Sequence, residues 1–123
     1  MQGGTRPNAA HPITVEPVTD TIIVRIGDVI LAESDNALIL REASLAPVYY
    51  IPADEVALDE LSASTTRTHC PYKGDASYFS TRDGSVKDVA WSYQDPFDHM
   101  LTIKGHLAFY PDRVDAIEAV PGN

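Results

Sequence analysis

The chain has 123 residues, 44% of them hydrophobic and 22% charged, which is the balance of a soluble globular domain with a single core. Eighteen acidic residues against nine basic ones give a formal charge of −9. That field repels phosphate backbones and anionic lipid surfaces, and the basic residues are scattered, so neither nucleic acid nor a membrane is an expected partner.

Residues 1–20 are rich in Gly, Pro, Asn and Thr and read as a mobile or extended N-terminal arm. A single β domain is expected over 21–120. Thr21–Ile26 places Ile22, Val24 and Ile26 on one face, and Gly27-Asp28 supplies a two-residue hairpin turn into Val29–Ser34. Leu38–Arg41 follows the polar Ser34-Asp35-Asn36 turn. Val48–Ile51 is a short strand whose ends are set by Pro47 and Pro52. Val56–Leu61 fits a strand or a single helical turn, and we favour a strand leading into the segment beyond.

Asp75–Arg82 and Ser85–Tyr93 are predicted strands separated by Asp83-Gly84, the strongest short hairpin signal in the chain. The two-residue period puts Val89, Trp91 and Tyr93 on one face. Gly105–Tyr110 is a last strand. Asp112 then caps a predicted short helix through Ala119, with Val114 and Ile117 inward. The fold class is therefore mainly β, with compact antiparallel sheets and a short C-terminal helix.

The longest apolar runs, such as Val29–Ala32, fall far short of a membrane span. No basic stretch followed by an apolar run opens the chain, so no secretory signal is expected. One cysteine cannot form an internal disulfide, which agrees with a reducing, cytoplasmic setting. No motif specifies a cofactor or an oligomeric state.

The chemistry-bearing residues concentrate in Thr68–Ser80. This segment holds the only cysteine, Cys70, together with His69, Tyr72, Tyr78 and Lys73, around a turn punctuated by Pro71 and Gly74. His11–Pro17, Val48–Pro52, the run His69-Cys70-Pro71-Tyr72-Lys73-Gly74, Ala90–Tyr93 with Pro96, and Ile103–Tyr110 together resemble the "domain of unknown function 427" family. The resemblance runs in order from about residue 11 to 119. It implies a small bacterial-type protein of compact β architecture, similar to the β-tent fold, in which coiled antiparallel sheets lean together over a groove. The family is sometimes labelled nucleotidyltransferase-like, and no established activity comes with it.

The residues argue against that label. Nucleotidyl transfer needs carboxylates that hold a divalent metal against the phosphates, and the chain has no Asp-x-Asp pair beside a Gly-Ser turn. In Lys73-Gly74-Asp75 the glycine follows the lysine and a strand follows both, which is the wrong order for a phosphate loop. Several β-tent proteins hold zinc with two cysteine pairs. Cys70 has no cysteine partner, and adjacent His69 points to the opposite face of a strand, so no metal site is expected.

Three readings compete. In the favoured one His69, Cys70, Tyr72, Lys73, Trp91 and Tyr93 line a small-molecule binding or enzymatic pocket, with Lys73 facing an anionic or carbonyl group. Aromatic bodies with polar tips beside a lysine and a histidine are the usual lining of such a site. In the second, the motif is a fold-determining turn of a non-catalytic interaction module, Lys73 is a solvated turn lysine, and most of Tyr49, Tyr50, Tyr72, Tyr78, Trp91 and Tyr93 are packing aromatics. In the third, Cys70 is a redox nucleophile whose thiolate is favoured by Lys73, against the alternative that it is a buried apolar residue. His11 is expected to be exposed in the arm, and His99 and His106 are given no role.

Overall fold

A computed structural model describes residues 1–122. Ten strands form three antiparallel sheets, joined by three short 3₁₀ turns at Ala53–Glu55, Leu58–Glu60 and Asp98–Ile103. β1 (Ile13–Pro17), β4 (Leu38–Glu42) and β5 (Val48–Tyr50) make the first sheet, in the order β1-β4-β5. The second runs β10-β2-β3, from β2 (Thr21–Ile26), β3 (Val29–Ser34) and β10 (Ala116–Val120). The third is a meander of β6 (Leu61–Cys70), β7 (Gly74–Thr81), β8 (Ala90–Ser92) and β9 (Leu107–Phe109). Mainly β, antiparallel architecture is thus as the sequence predicts.

β2 and β3 have the predicted bounds. Gly27 takes φ +54°, a turn conformation that costs glycine nothing, and Ile26 faces Val29 directly across the hairpin. Ile22 and Val24 are fully buried, as their alternation requires. β1 lies within the N-terminal segment and pairs along β4 as an edge strand. Ile51 and Leu107 exchange both backbone hydrogen bonds at 2.8 Å, which stitches the end of β5 to β9 and so joins the first sheet to the third.

Four expectations are corrected. The C-terminal helix capped by Asp112 is absent, and Ala116–Val120 instead adds to the open edge of β2, from Ala116 opposite Arg25 to Val120 opposite Thr21. The seven residues after Asp112 cannot meet the cost of helix nucleation, whereas an exposed strand edge offers ready partners. Val56–Leu61 is not a strand. Val56 makes one bridge to Ala32 between two 3₁₀ turns, and Leu61 begins β6.

Ser85–Tyr93 shortens to Ala90–Ser92, because local bonds hold its first half in a loop. The Asp83 carboxylate accepts from Ser85, and the Asp88 N–H donates to Ser80 Oγ while Asp88 adopts φ +51°. Gly105–Tyr110 likewise shortens to Leu107–Phe109, since Gly105 at φ +72° turns the chain.

Two clusters make the core. The first gathers Ile22, Val24, Leu31, Ile51, Val89, Leu107 and Phe109. The second gathers Leu40, Tyr50, Ala76, Tyr78, Tyr93, Met100 and Ile103, with Cys70, Trp91 and Tyr110 packed against it. Fully burying a side chain of this size contributes about 1.5–3 kcal/mol. The second cluster is rich in tyrosine.

Candidate ligand-binding site

The hairpin between β6 and β7 ends in Pro71-Tyr72-Lys73, with Cys70 paired opposite Gly74 and His69 opposite Asp75. Gly74 takes φ +118°, and a Cβ there would come within 3.2 Å of Met1 Cε and 3.4 Å of Pro96 Cα. The conformation is what selects glycine, since the Met1 side chain could give way to a Cβ. All three carbonyls of the tip are tied down from outside the hairpin. Pro71 accepts from the Thr5 N–H at 2.7 Å, Tyr72 from His99 Nε2 at 2.8 Å, and Lys73 from the Phe97 N–H at 3.0 Å. His99, which the sequence leaves without a role, is therefore a brace of this turn.

The turn directs Lys73 inward. The residue is 8% exposed, and its ammonium donates to Glu42 Oε1 at the end of β4. His11 bonds the other oxygen, Nε2 to Oε2, at 2.7 Å, and its ring stacks on Tyr72 with centroids 4.0 Å apart. His11 is thus partly covered and engaged, not the exposed residue its place in the arm suggests. Burial alone would push the Glu42 carboxyl up. The hydrogen bonds and charges of Lys73 and His11 outweigh it and hold the group below its ordinary value.

A cavity of about 240 Å³ opens beside this pair. Glu42 and Lys73 lie on its surface with Tyr50, Tyr78, Trp91, Tyr93 and Tyr110, and aliphatic contacts come from Leu40, Leu45 and Val48. The aromatic rings form a connected wall. Trp91 and Tyr110 have centroids 4.4 Å apart, Tyr50 meets Trp91 edge-on at 6.3 Å, and Tyr78 stacks with Tyr110 at 6.5 Å. Trp91 Nε1 donates to the Tyr50 hydroxyl at 3.2 Å, and Thr68 Oγ1 meets the Tyr78 hydroxyl at 2.8 Å. Burial raises the pKa values of Tyr50 and Tyr93, and burial with the Tyr78 hydrogen bond pushes Tyr110 up to about 12. All three remain neutral hydroxyls at physiological pH.

Of the six residues singled out in the sequence, Lys73, Trp91 and Tyr93 meet in this cavity. Tyr72 lies on the outer side of the turn against His11. Cys70 is partly exposed and packs on the second core cluster. His69 points elsewhere, to a separate polar groove, where Nδ1 bonds Asp75 Oδ1 at 2.7 Å. Glu42, Tyr110 and His11 are the members that sequence reasoning missed. Glu42 had a readable signal, because the alternation Leu38, Leu40, Glu42 places a carboxylate on the core-facing side of β4. Among the described residues, no group of three or more His, Cys, Asp or Glu side chains is placed to hold a metal ion. No described helix is long and apolar enough to cross a membrane.

The motif turn, the Ala90–Ser92 strand and the Leu107–Phe109 strand that frame this cavity carry the residues of the family resemblance, and the family's sequence model matches residues 14–120 under the description Domain of unknown function (DUF427). The chain belongs to that family. Its match spans β1 to β10 and takes in all of the cavity lining named above. A comparison with curated proteins finds no match.

Proposed function

We propose that the protein binds a small molecule in the cavity between the Glu42–Lys73 pair and the wall of Trp91, Tyr93 and Tyr110. The observation that carries this reading is the convergence of a buried ion pair and several aromatic rings with polar tips on one open cavity. Such a group is costly to leave beside empty space, and it is the make-up of orienting contacts in ligand sites. The volume suits a single-ring compound, below the range of drug-sized pockets.

Two features weigh against a redox thiol. Lys73, the positive neighbour that would favour a thiolate, is bonded to Glu42, and Cys70 packs against the core cluster. The motif turn also braces the fold through its three carbonyl contacts, and that role is compatible with binding. Lys73 is accordingly a poor test residue, because removing it leaves Glu42 buried without its cation, held by His11 alone. Tyr93→Phe keeps the ring and removes one hydroxyl. A thermal-shift screen of small carbonyl compounds, anions and aromatics on the wild-type protein should yield a stabilising compound. Its affinity should fall about threefold to tenfold in Tyr93→Phe, the loss of one hydrogen bond. A ligand indifferent to both Tyr93→Phe and Trp91→Phe would place the site elsewhere.

A further inference from the structure

The charges that face the cavity cancel. Glu42 and Lys73 are its only charged lining residues, they are bonded to each other, and their side chains are 9% and 10% exposed. His11 bonds the second Glu42 oxygen but does not line the space. Arg113, 4.3 Å over the Tyr110 ring, donates to the Asp88 carbonyl and does not line it either. An anion entering here would find its one cation already held by Glu42. Taking that cation would leave the buried Glu42 carboxylate with His11 alone, which is the costly way to break such a pair. A cation would meet the mirror-image difficulty with Lys73.

The neutral groups, by contrast, have capacity to spare. The Tyr93 hydroxyl makes no hydrogen bond among the described residues. The Tyr50 hydroxyl accepts from Trp91, and its own proton has no acceptor among them. Both are donors suited to a carbonyl oxygen. Trp91 and Tyr110, packed against each other, present an aromatic wall to a planar group entering the cavity.

Building on the pocket reading above, we infer that the cavity selects a neutral, planar, carbonyl-bearing molecule over a charged one, and that Glu42 sets this preference by neutralising Lys73. Glu42 is then a specificity-determining residue, while Tyr50 and Tyr93 supply the hydrogen bonds.

Three probes of one ring size and different charge test this: benzamide, benzoate and benzylamine. Trp91 is the only tryptophan of the chain, so its indole N–H resonance in the ¹⁵N-labelled protein reports binding beside it. The ring also borders a second cavity lined by Val24, Tyr49, Ile51 and Phe109, so a shift is assigned to the tyrosine-lined cavity only if Tyr93→Phe, which touches that cavity alone, weakens it. Benzamide should shift that resonance with an affinity at least about tenfold tighter than either charged probe, a difference of about 1.4 kcal/mol. A smaller margin, or tighter binding of benzoate or benzylamine, overturns the inference and leaves the cavity a binding site. If none of the three moves Trp91 at millimolar concentration, the pocket reading itself fails and the inference falls with it. In Glu42→Gln the Lys73 charge is no longer cancelled, so benzoate should bind at least about tenfold tighter than to wild type. No gain in a folded Glu42→Gln protein would remove Glu42 from its assigned role. The wild-type series decides the charge preference even if that variant does not fold.

Discussion

Lys73 shows how far a residue's type underdetermines its role. A lysine beside a glycine in a turn is ordinarily solvated, and a ligand lysine is ordinarily replaceable without harm to the fold. Here the side chain is buried and bonded to a buried carboxylate, so neither expectation holds. Lys73→Met should cost about 2–4 kcal/mol by leaving the buried Glu42 with His11 as its one remaining partner, read from denaturant midpoints at pH 7. The double variant Glu42→Leu with Lys73→Met should recover most of that loss, since an apolar pair of similar volume is often neutral. A double variant as unstable as the single would mean that the pair itself, not the stranded charge, carries the energy. Gly74 is the second residue whose identity the geometry fixes. Gly74→Ala should cost about 1–3 kcal/mol, because a φ of +118° is strained for a residue with a Cβ, and the Met1 side chain would also have to shift. A change under 0.5 kcal/mol would mean that the turn relaxes.

At the scale of elements, legibility followed the range of the interactions. β2 and β3 were readable to the residue, since alternation and the Gly27-Asp28 turn are local signals. The motif turn was readable for the same reason, through Pro71 and Gly74. Where an element depends on a distant partner, the local pattern misled. Ala116–Val120 has the apolar spacing of a helical turn, and its conformation is decided by the edge of β2, about ninety residues earlier.

β6 was only partly foreseen, because Ser62–Thr68 is almost devoid of apolar residues. It is a strand because β7 pairs with it on either side of a register shift between Ala63 and Arg67. The strand assignment of the C-terminus has a direct test. A helix capped by Asp112 would lose about 1 kcal/mol in Asp112→Ala. As a strand the segment should be unaffected within about 0.5 kcal/mol, while Ile117→Ala, which removes a contact with the first core cluster, should cost about 1 kcal/mol. The reverse ranking in chemical denaturation would restore the helix.

For the molecule as a whole, Glu42 is where three separately encoded parts meet: His11 from the N-terminal arm, β4 from the first sheet, and Lys73 from the hairpin of the third. None of these contacts is visible in a local window, so the cavity's aromatic wall was partly legible from composition while its charged floor was not. Because these contacts bridge the sheets, the protonation of one carboxylate should register in global stability. Its pKa in the folded protein lies below the ordinary value of 4.5. A depressed carboxyl contributes stability that is present above the unfolded-state pKa and lost as pH falls through the folded-state value.

Other carboxylates also titrate in that range, and the −9 charge relaxes as they do, so the wild-type curve alone does not isolate Glu42. Subtracting the Glu42→Gln curve does, since Gln is a neutral shape-mimic of the protonated acid. Wild type should be the more stable of the two from pH 5 to 7. The gap should narrow steadily below pH 4.5 and approach zero once Glu42 is protonated in both states. A gap that stays constant down to pH 3 would show that ionisation of Glu42 adds nothing to stability, and that the arm, the first sheet and the hairpin are held together by packing and hydrogen bonds without the ion pair.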